Sequence, residues 1–167
     1  MAKDRRVAKG SALSWEPLSR LMRDGIEDLL IEHYEEVAQD KERIPYAPDW
    51  DDYYRLERAG VFKALSLRLD GALAGYNWFW VMPHRHNRHT LMATNDVIYL
   101  RPLARKGWNG VRLIRQAEQD LRALGVVKIM YHSKPDVLLG RNGGTLGGLL
   151  EKLGYEFSET VHKKVLE

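Results

Sequence analysis

Fifteen residues, Asp96-Val97-Ile98-Tyr99-Leu100-Arg101-Pro102-Leu103-Ala104-Arg105-Lys106-Gly107-Trp108-Asn109-Gly110, hold the densest chemistry in this 167-residue chain. A strand-like stretch ends at Pro102 and enters a turn that carries Arg105, Lys106, Gly107 and Gly110 before a helix begins. The first N–H groups of a helix lack intrahelical partners and sit at the positive end of its dipole. Glycines let the backbone approach a ligand and the cations add charge, so the pattern suits a diphosphate. A plain strand-to-helix connection is the simpler alternative. Asp96 is the only acid between positions 71 and 115. A lone carboxylate there is a candidate general base, or else the partner of a nearby arginine at the surface. His33 and Glu36 stand at i, i+3 on a helical pattern, where they could bind an amine or relay its proton. His33 also lies on the apolar stripe with Leu29, Leu30 and Val37, which equally suits a buried structural histidine. Tyr131 and His132 end a later strand and could supply a proton, although strand-end packing accounts for Tyr131 as well.

Other constellations carry less. His84, His86 and His89 alternate in a loop with Arg85 and Arg88 between them and no acid nearby, which disfavours a metal; acceptor contact or plain exposure fits better. Trp50, Tyr53 and Tyr54 could wall an acceptor pocket or simply belong to the core. The chain has no cysteine, which removes disulfides, thiolate metal sites and a Cys nucleophile. No Walker loop occurs, and no G-x-G-x-x-G follows an early strand. Charge is unevenly spread. Residues 16–57 hold 13 acids and five bases, whereas residues 84–115 hold seven bases and one acid. The first region would attract a cation and the second a polyanion, unless both are merely solvated faces. Nucleic-acid binding has no RNP, KH or helix-turn-helix pattern behind it. No stretch approaches the roughly 18 apolar residues of a membrane span. The basic start MAKDRRVAKGSALSW has no apolar run behind it, so the expected compartment is the cytoplasm.

These residues need elements to position them. Residues 1–10 read as a basic flexible tail and residues 11–167 as one domain. A short strand over 11–16 precedes helical spacing from Pro17 to Val37, and Asp49 caps a short aromatic helix from Trp50 to Ala59. Strands over 61–69 and 72–82 meet at Asp70-Gly71, a hairpin signal, and a third strand covers 89–100 after the loop 83–88. Val111, Ile114, Ala117, Leu121 and Leu124 mark a helix closed by Gly125. The run Val126–Tyr131 follows that helix and reads as a parallel strand. A Gly-rich loop, a short helix ending at Lys152 and a strand-like C-terminus complete a mixed α/β sheet.

The loop, in this setting, resembles that of the GNAT (GCN5-related) N-acetyltransferase superfamily. There the fourth strand ends in an apolar-x-apolar-x-Pro run, followed by Arg/Gln-x-x-Gly-x-Gly/Ala. Ile98-Tyr99-Leu100-Arg101-Pro102 matches the first part, and Arg105 and Gly110 match the ends of the second. Glu151-Lys152-Leu153-Gly154-Tyr155 resembles the family's late Glu-Lys-Leu-Gly-Phe/Tyr. His33-Tyr34-Glu35-Glu36 looks like the subgroup common in tailed-phage genomes. The resemblance implies a twisted, mostly antiparallel sheet splayed at the fourth and fifth strands and flanked by helices. It implies acetyl-CoA bound by Ile98, Tyr99, Leu100, Arg105, Lys106, Gly107, Trp108, Asn109 and Gly110, with no metal. An amine on a small molecule or protein would attack the thioester directly, with Asp96, His33, Glu36 and Tyr131 as catalytic candidates. The final strand could pair across a homodimer. Two positions depart from the pattern. Trp108 replaces the usual Gly, which is harmless at negative φ and strained at positive φ. Leu150 stands where the family often has its acid Tyr, and Gly143, beside Asn142, where it has Asn. Those departures give standing to an alternative, a catalytically weak GNAT-fold module that binds a cellular protein.

Overall fold

The computed structural model describes residues 10–134, 138–139 and 144–166, the pair 138–139 by backbone alone. Residues 1–9 of the basic tail, Asn142 and Gly143 lie outside the described residues. Contacts divide the chain into two compact units, one ending at His132 and the other beginning at Ser133.

The first unit is built on a five-stranded sheet of order β1 (Ser11–Trp15), β2 (Phe62–Leu69), β3 (Ala72–His84), β4 (Asn87–Leu100) and β5 (Val126–Met130). The first four strands are antiparallel, and β5 runs parallel to β4 because a helix carries the chain back between them. Asp70 and Gly71 both adopt positive φ, the geometry of a tight hairpin turn, and join β2 to β3 as their sequence predicts. The next hairpin is longer than its sequence suggests. Its strands continue through Pro83 and His84 and from Asn87, so the basic loop shrinks to its tip. β2 pairs with β3 only as far as Trp80, so Pro83 needs no ladder bond on that side.

Helices α1 (Leu18–Arg23), α2 (Ile26–Val37) and α3 (Trp50–Arg58) cover one face of the sheet, and α4 (Asn109–Ala123) covers the other. The periodic stretch after Pro17 is two helices because Gly25, at φ 80°, takes the left-handed conformation between them. Asp49 accepts a hydrogen bond from the Asp52 N–H at 3.0 Å and starts α3. Leu18, Leu21, Ile26, Leu29, Phe62, Tyr76 and Trp78 fill the first core layer. Leu65, Leu67, Phe79, Ala93, Leu113, Ala117 and Leu121 fill the second. Alternation along the strands thus sends successive side chains to different helical layers.

In the second unit, β6 (Leu138–Leu139) pairs with β7 (Gly144–Thr145), and α5 (Leu146–Lys152) is capped by Thr145, which accepts from the Gly148 N–H at 3.1 Å. The C-terminus reads as strand-like, but residues 155–166 form no strand, and Phe157 and Val161 are exposed. Apolar alternation makes a strand only against a partner edge, and none of the described residues supplies one there.

A buried ion pair ties α1 to the sheet. Arg68 donates to both Glu16 carboxylate oxygens at 2.8 and 2.7 Å and to Asp24 at 2.6 Å. Burial is the largest single influence and raises the Glu16 carboxyl, but the hydrogen bonds from Arg68 and Ser14 and the charges of Arg68 and Arg20 together hold the group below its ordinary value. Arg68→Met leaves the buried Glu16 with only the half-exposed Arg20, 3.2 Å away, and should cost about 3–5 kcal/mol in urea denaturation. A loss below ~1 kcal/mol would contradict this. Because the Glu16 pKa is depressed in the fold, its contribution is present above the unfolded value and fades as pH falls through the folded one.

Candidate active site at the β4–β5 fork

Pairing between β4 and β5 runs from Leu91 opposite Val126 to Thr94 opposite Met130 and then stops. β4 continues for six more residues, Asn95 to Leu100, still paired with β3 on its other side. The strands therefore part, and among the described residues no strand lies against the second edge of this β4 segment. Trp78 pairs with Val97 while Phe79 pairs with Asn95, so Asp96 is the extra residue of a β-bulge. The bulge turns Asp96 and Val97 to the α3 side. Asn95 and Ile98 face the α4 side.

Asp96 sits half-buried against aromatic rings. Its Oδ2 accepts from the Tyr53 hydroxyl at 2.9 Å, and Trp80 also hydrogen-bonds to it. Burial pushes the Asp96 carboxyl above its ordinary value, and the two hydrogen bonds oppose that rise. The Tyr53 ring packs 5.0 Å from Phe62, 5.9 Å from Trp78 and 5.3 Å from Trp80, so α3 delivers a hydroxyl fixed by its own packing.

A polar chain crosses the α4 side of the fork. Asn95 and Asn77 are fully or nearly fully buried. Asn95 Nδ2 donates to Asn77 Oδ1 at 2.9 Å and to the carbonyls of Trp78 and Val97 at 3.0 and 3.1 Å. Asn77 Nδ2 donates to the Tyr131 hydroxyl at 2.8 Å. Tyr131 follows the last residue of β5 and packs edge-on against Phe79 at 5.7 Å.

The end of β4 and the loop after it are held by α2. Arg105 donates through Nε to the Leu100 carbonyl at 2.8 Å and through Nη2 to Glu36 at 2.6 Å, with its guanidinium 5.3 Å above the Tyr99 ring. His33 stacks on Tyr99 at 4.8 Å and its Nδ1 lies 2.7 Å from the Tyr76 hydroxyl. The Arg105 hydrogen bond holds the Glu36 carboxyl below its ordinary value despite partial burial. His33, Glu36, Tyr99, Leu100 and Arg105 are thus one assembly, in which Arg105 anchors the loop. His132 and the histidines at the tip of the β3–β4 hairpin are exposed and outside it.

Beyond the 3₁₀ turn Pro102–Arg105, Gly107 takes φ 74° and Trp108 takes φ −106°. The position that demands glycine is therefore Gly107, and Trp108 is unstrained. The first bond of α4 runs from the Arg112 N–H to the Trp108 carbonyl, so the N–H groups of Asn109, Gly110 and Val111 precede it. No side chain caps this end and no acid occupies its first turn. Lys106 and Trp108 are exposed beside it, while Asn109 braces the turn by donating to the Ala104 carbonyl at 3.1 Å. Uncapped N–H groups, a left-handed glycine and a nearby lysine fit a diphosphate.

The sequence alone points to Asp96, Tyr131 and the loop but not to Asn77 or Asn95, and it leaves Tyr53 as either a pocket wall or a core residue. An Asn within the apolar run Ala-Gly-Tyr-Asn-Trp-Phe-Trp, with a second one immediately before Asp96, was the available signal.

No family model and no curated protein matches the sequence. Solved structures do match the fold. One is a ribosomal-protein-alanine N-acetyltransferase from Brucella melitensis biovar Abortus 2308, at TM-score 0.65 and 15% identity, covering 95% of this chain and 99% of that one. An aminoglycoside acetyltransferase from an uncultured soil metagenomic sample gives 0.70 and 14%, with 95% and 99% covered. A glucosamine-6-phosphate N-acetyltransferase from Arabidopsis thaliana gives 0.67 and 12%, with 95% and 100% covered. The chain has the GNAT fold, a mixed sheet flanked by helices and divided between β4 and β5.

Tyr53→Phe deletes a hydrogen bond that favours the carboxylate, so the Asp96 pKa should rise further. Carbon-13 NMR titration of the aspartates reads the shift directly. An unchanged or lowered value would contradict this description of the site.

Proposed function

We propose that the protein is an N-acyltransferase that moves an acetyl group from acetyl-CoA to an amine on a small molecule or protein. The observation that carries this reading is the open β4 edge from Asn95 to Leu100, which leads directly into the uncapped N-terminus of α4. A pantetheine arm could add to that edge as a further strand does. Backbone N–H groups at Asn109, Gly110 and Val111, with Lys106, would meet the diphosphate, and the Trp108 ring could cover it. Arg105 and Glu36 would shape the loop, and His33 would fix Tyr99 beneath it.

The bound thioester supplies an activated acyl carbon. Reaction also needs a neutral amine, because an ammonium has no lone pair. Asp96, its carboxyl raised above the ordinary value by burial, would take the amine proton directly or through water. Tyr131 would supply the proton to the departing sulfur, a role the family more often gives to the position of Leu150. The half-buried aromatic residues Tyr53 and Trp80 would border the amine near Asp96, and the acidic surface of residues 16–57 would draw in a cation. The negative φ of Trp108 removes one of the two departures that favoured a binding module.

Asp96→Asn should lower kcat/KM for a responsive amine by about 10²–10⁴-fold while acetyl-CoA still binds by calorimetry. CoA release measured over a panel of amines identifies the acceptor class. Unchanged turnover in the variant removes Asp96 as the base, and no binding of acetyl-CoA at millimolar concentration removes the acyltransferase reading.

A further inference from the structure

Among the described residues, Trp108 is the one tryptophan of five that the fold does not use. Trp15 packs on Phe79 and donates to Asp120, and Trp50, Trp78 and Trp80 all pack on Tyr53. The Trp108 indole is 56% exposed, and among the described residues it meets no other ring and makes no hydrogen bond. Its backbone, at φ −106°, suits any residue, and its side chain does not cap α4. A single exposed apolar residue is ordinary on a protein surface, but the surroundings of this one are not.

Trp108 stands at the positive end of α4, two residues after Lys106. Arg101 and Arg105 are held by Glu32 and Glu36, whereas Lys106 is exposed and has no ion pair among the described residues. A cation over the indole would meet this positive field, which disfavours cation–π recognition. A bare anion would meet the negative face of the ring. A flat ring carried on phosphate groups satisfies both, and that combination is a nucleotide. The placement agrees. A Cβ built at Gly110 would lie 3.5 Å from Leu100 Cδ1, so that side of α4 meets the end of β4. Trp108, two residues earlier, stands about 200° from it around the helix axis. A ligand that runs along β4 and crosses the helix end therefore reaches the indole last.

We propose that Trp108 stacks on the adenine of acetyl-CoA and so selects a nucleotide-borne acyl donor over one carried on the phosphopantetheine of a carrier protein. The inference rests on the acyltransferase reading given above. In that reading the pantetheine arm takes the β4 edge, and the helix N–H groups with Lys106 take the diphosphate. The base is the part left to the indole. A carrier-protein arm ends in a phosphate and brings no base, so it gains nothing from the ring.

Calorimetry with two ligands tests this without turnover: CoA, and 4′-phosphopantetheine, which has the same arm and a phosphate but no nucleoside. The wild-type protein should bind CoA more tightly. Trp108→Ala should weaken CoA binding about 5- to 100-fold, the worth of one base–aromatic stack, and leave 4′-phosphopantetheine within about twofold. Trp108→Phe, which keeps a ring, should retain most of the CoA affinity, and Trp108→Leu, which keeps only apolar bulk, should not. An equal loss for both ligands in Trp108→Ala overturns the inference, because the indole then serves the arm or the loop. Full CoA affinity in Trp108→Ala or Trp108→Leu overturns it too, as does a wild-type affinity for 4′-phosphopantetheine that matches or exceeds that for CoA. Failure of the wild-type protein to bind either ligand is instead the failure of the acyltransferase reading.

Discussion

A β-strand satisfies its backbone against neighbours, and β4 loses one neighbour halfway along its length. The loss is local because β3 follows β4 to Leu100 and keeps the strand straight enough to reach the α4 loop. What remains is a row of peptide groups beside an uncapped helix start. The bulge at Asp96 lies at the point of parting, where the extra residue changes which side chains face which helical layer. Asn95 makes the bulge tolerable by satisfying two of its carbonyls from within a buried layer.

The rest of the first unit serves this parting of strands. α3 brings Tyr53 to Asp96 through a packed set of rings, so the carboxylate is desolvated without being orphaned. α2 closes the other end. Its Glu36 holds Arg105 against the Leu100 carbonyl, and its His33 fixes Tyr99. The outward part of the loop is consequently left to Lys106, to the left-handed Gly107 and to helix N–H groups. Rigid packing on one side and, among the described residues, a strand edge without a strand partner on the other is the arrangement expected where ligand binding completes the hydrogen bonding.

Much of this was legible in the amino-acid order. Asp70-Gly71 specified its hairpin because both residues accept positive φ, and the Val111–Leu121 stripe specified α4 because its spacing matches one helical face. The loop was legible because glycine and charge at a helix start have few uses. Three features were not. Gly25 reads as tolerable within a helix, and only its left-handed geometry divides α1 from α2. The bulge leaves no periodic signature, since one extra residue in fourteen barely disturbs alternation. Arg105 reads as a ligand cation, but its partner Glu36 lies 69 positions earlier, and such pairings are set by tertiary contact. The residues 155–166 show the converse: a good strand pattern is insufficient without an edge to receive it.

Backbone hydrogen exchange with and without coenzyme A tests the open edge of β4 most directly. Occupation of the fork predicts that amides within Asn95–Leu100 and at Asn109–Val111 slow together when the ligand is added, while β2 amides do not change. Saturable binding that leaves both segments at their ligand-free rates would contradict the account.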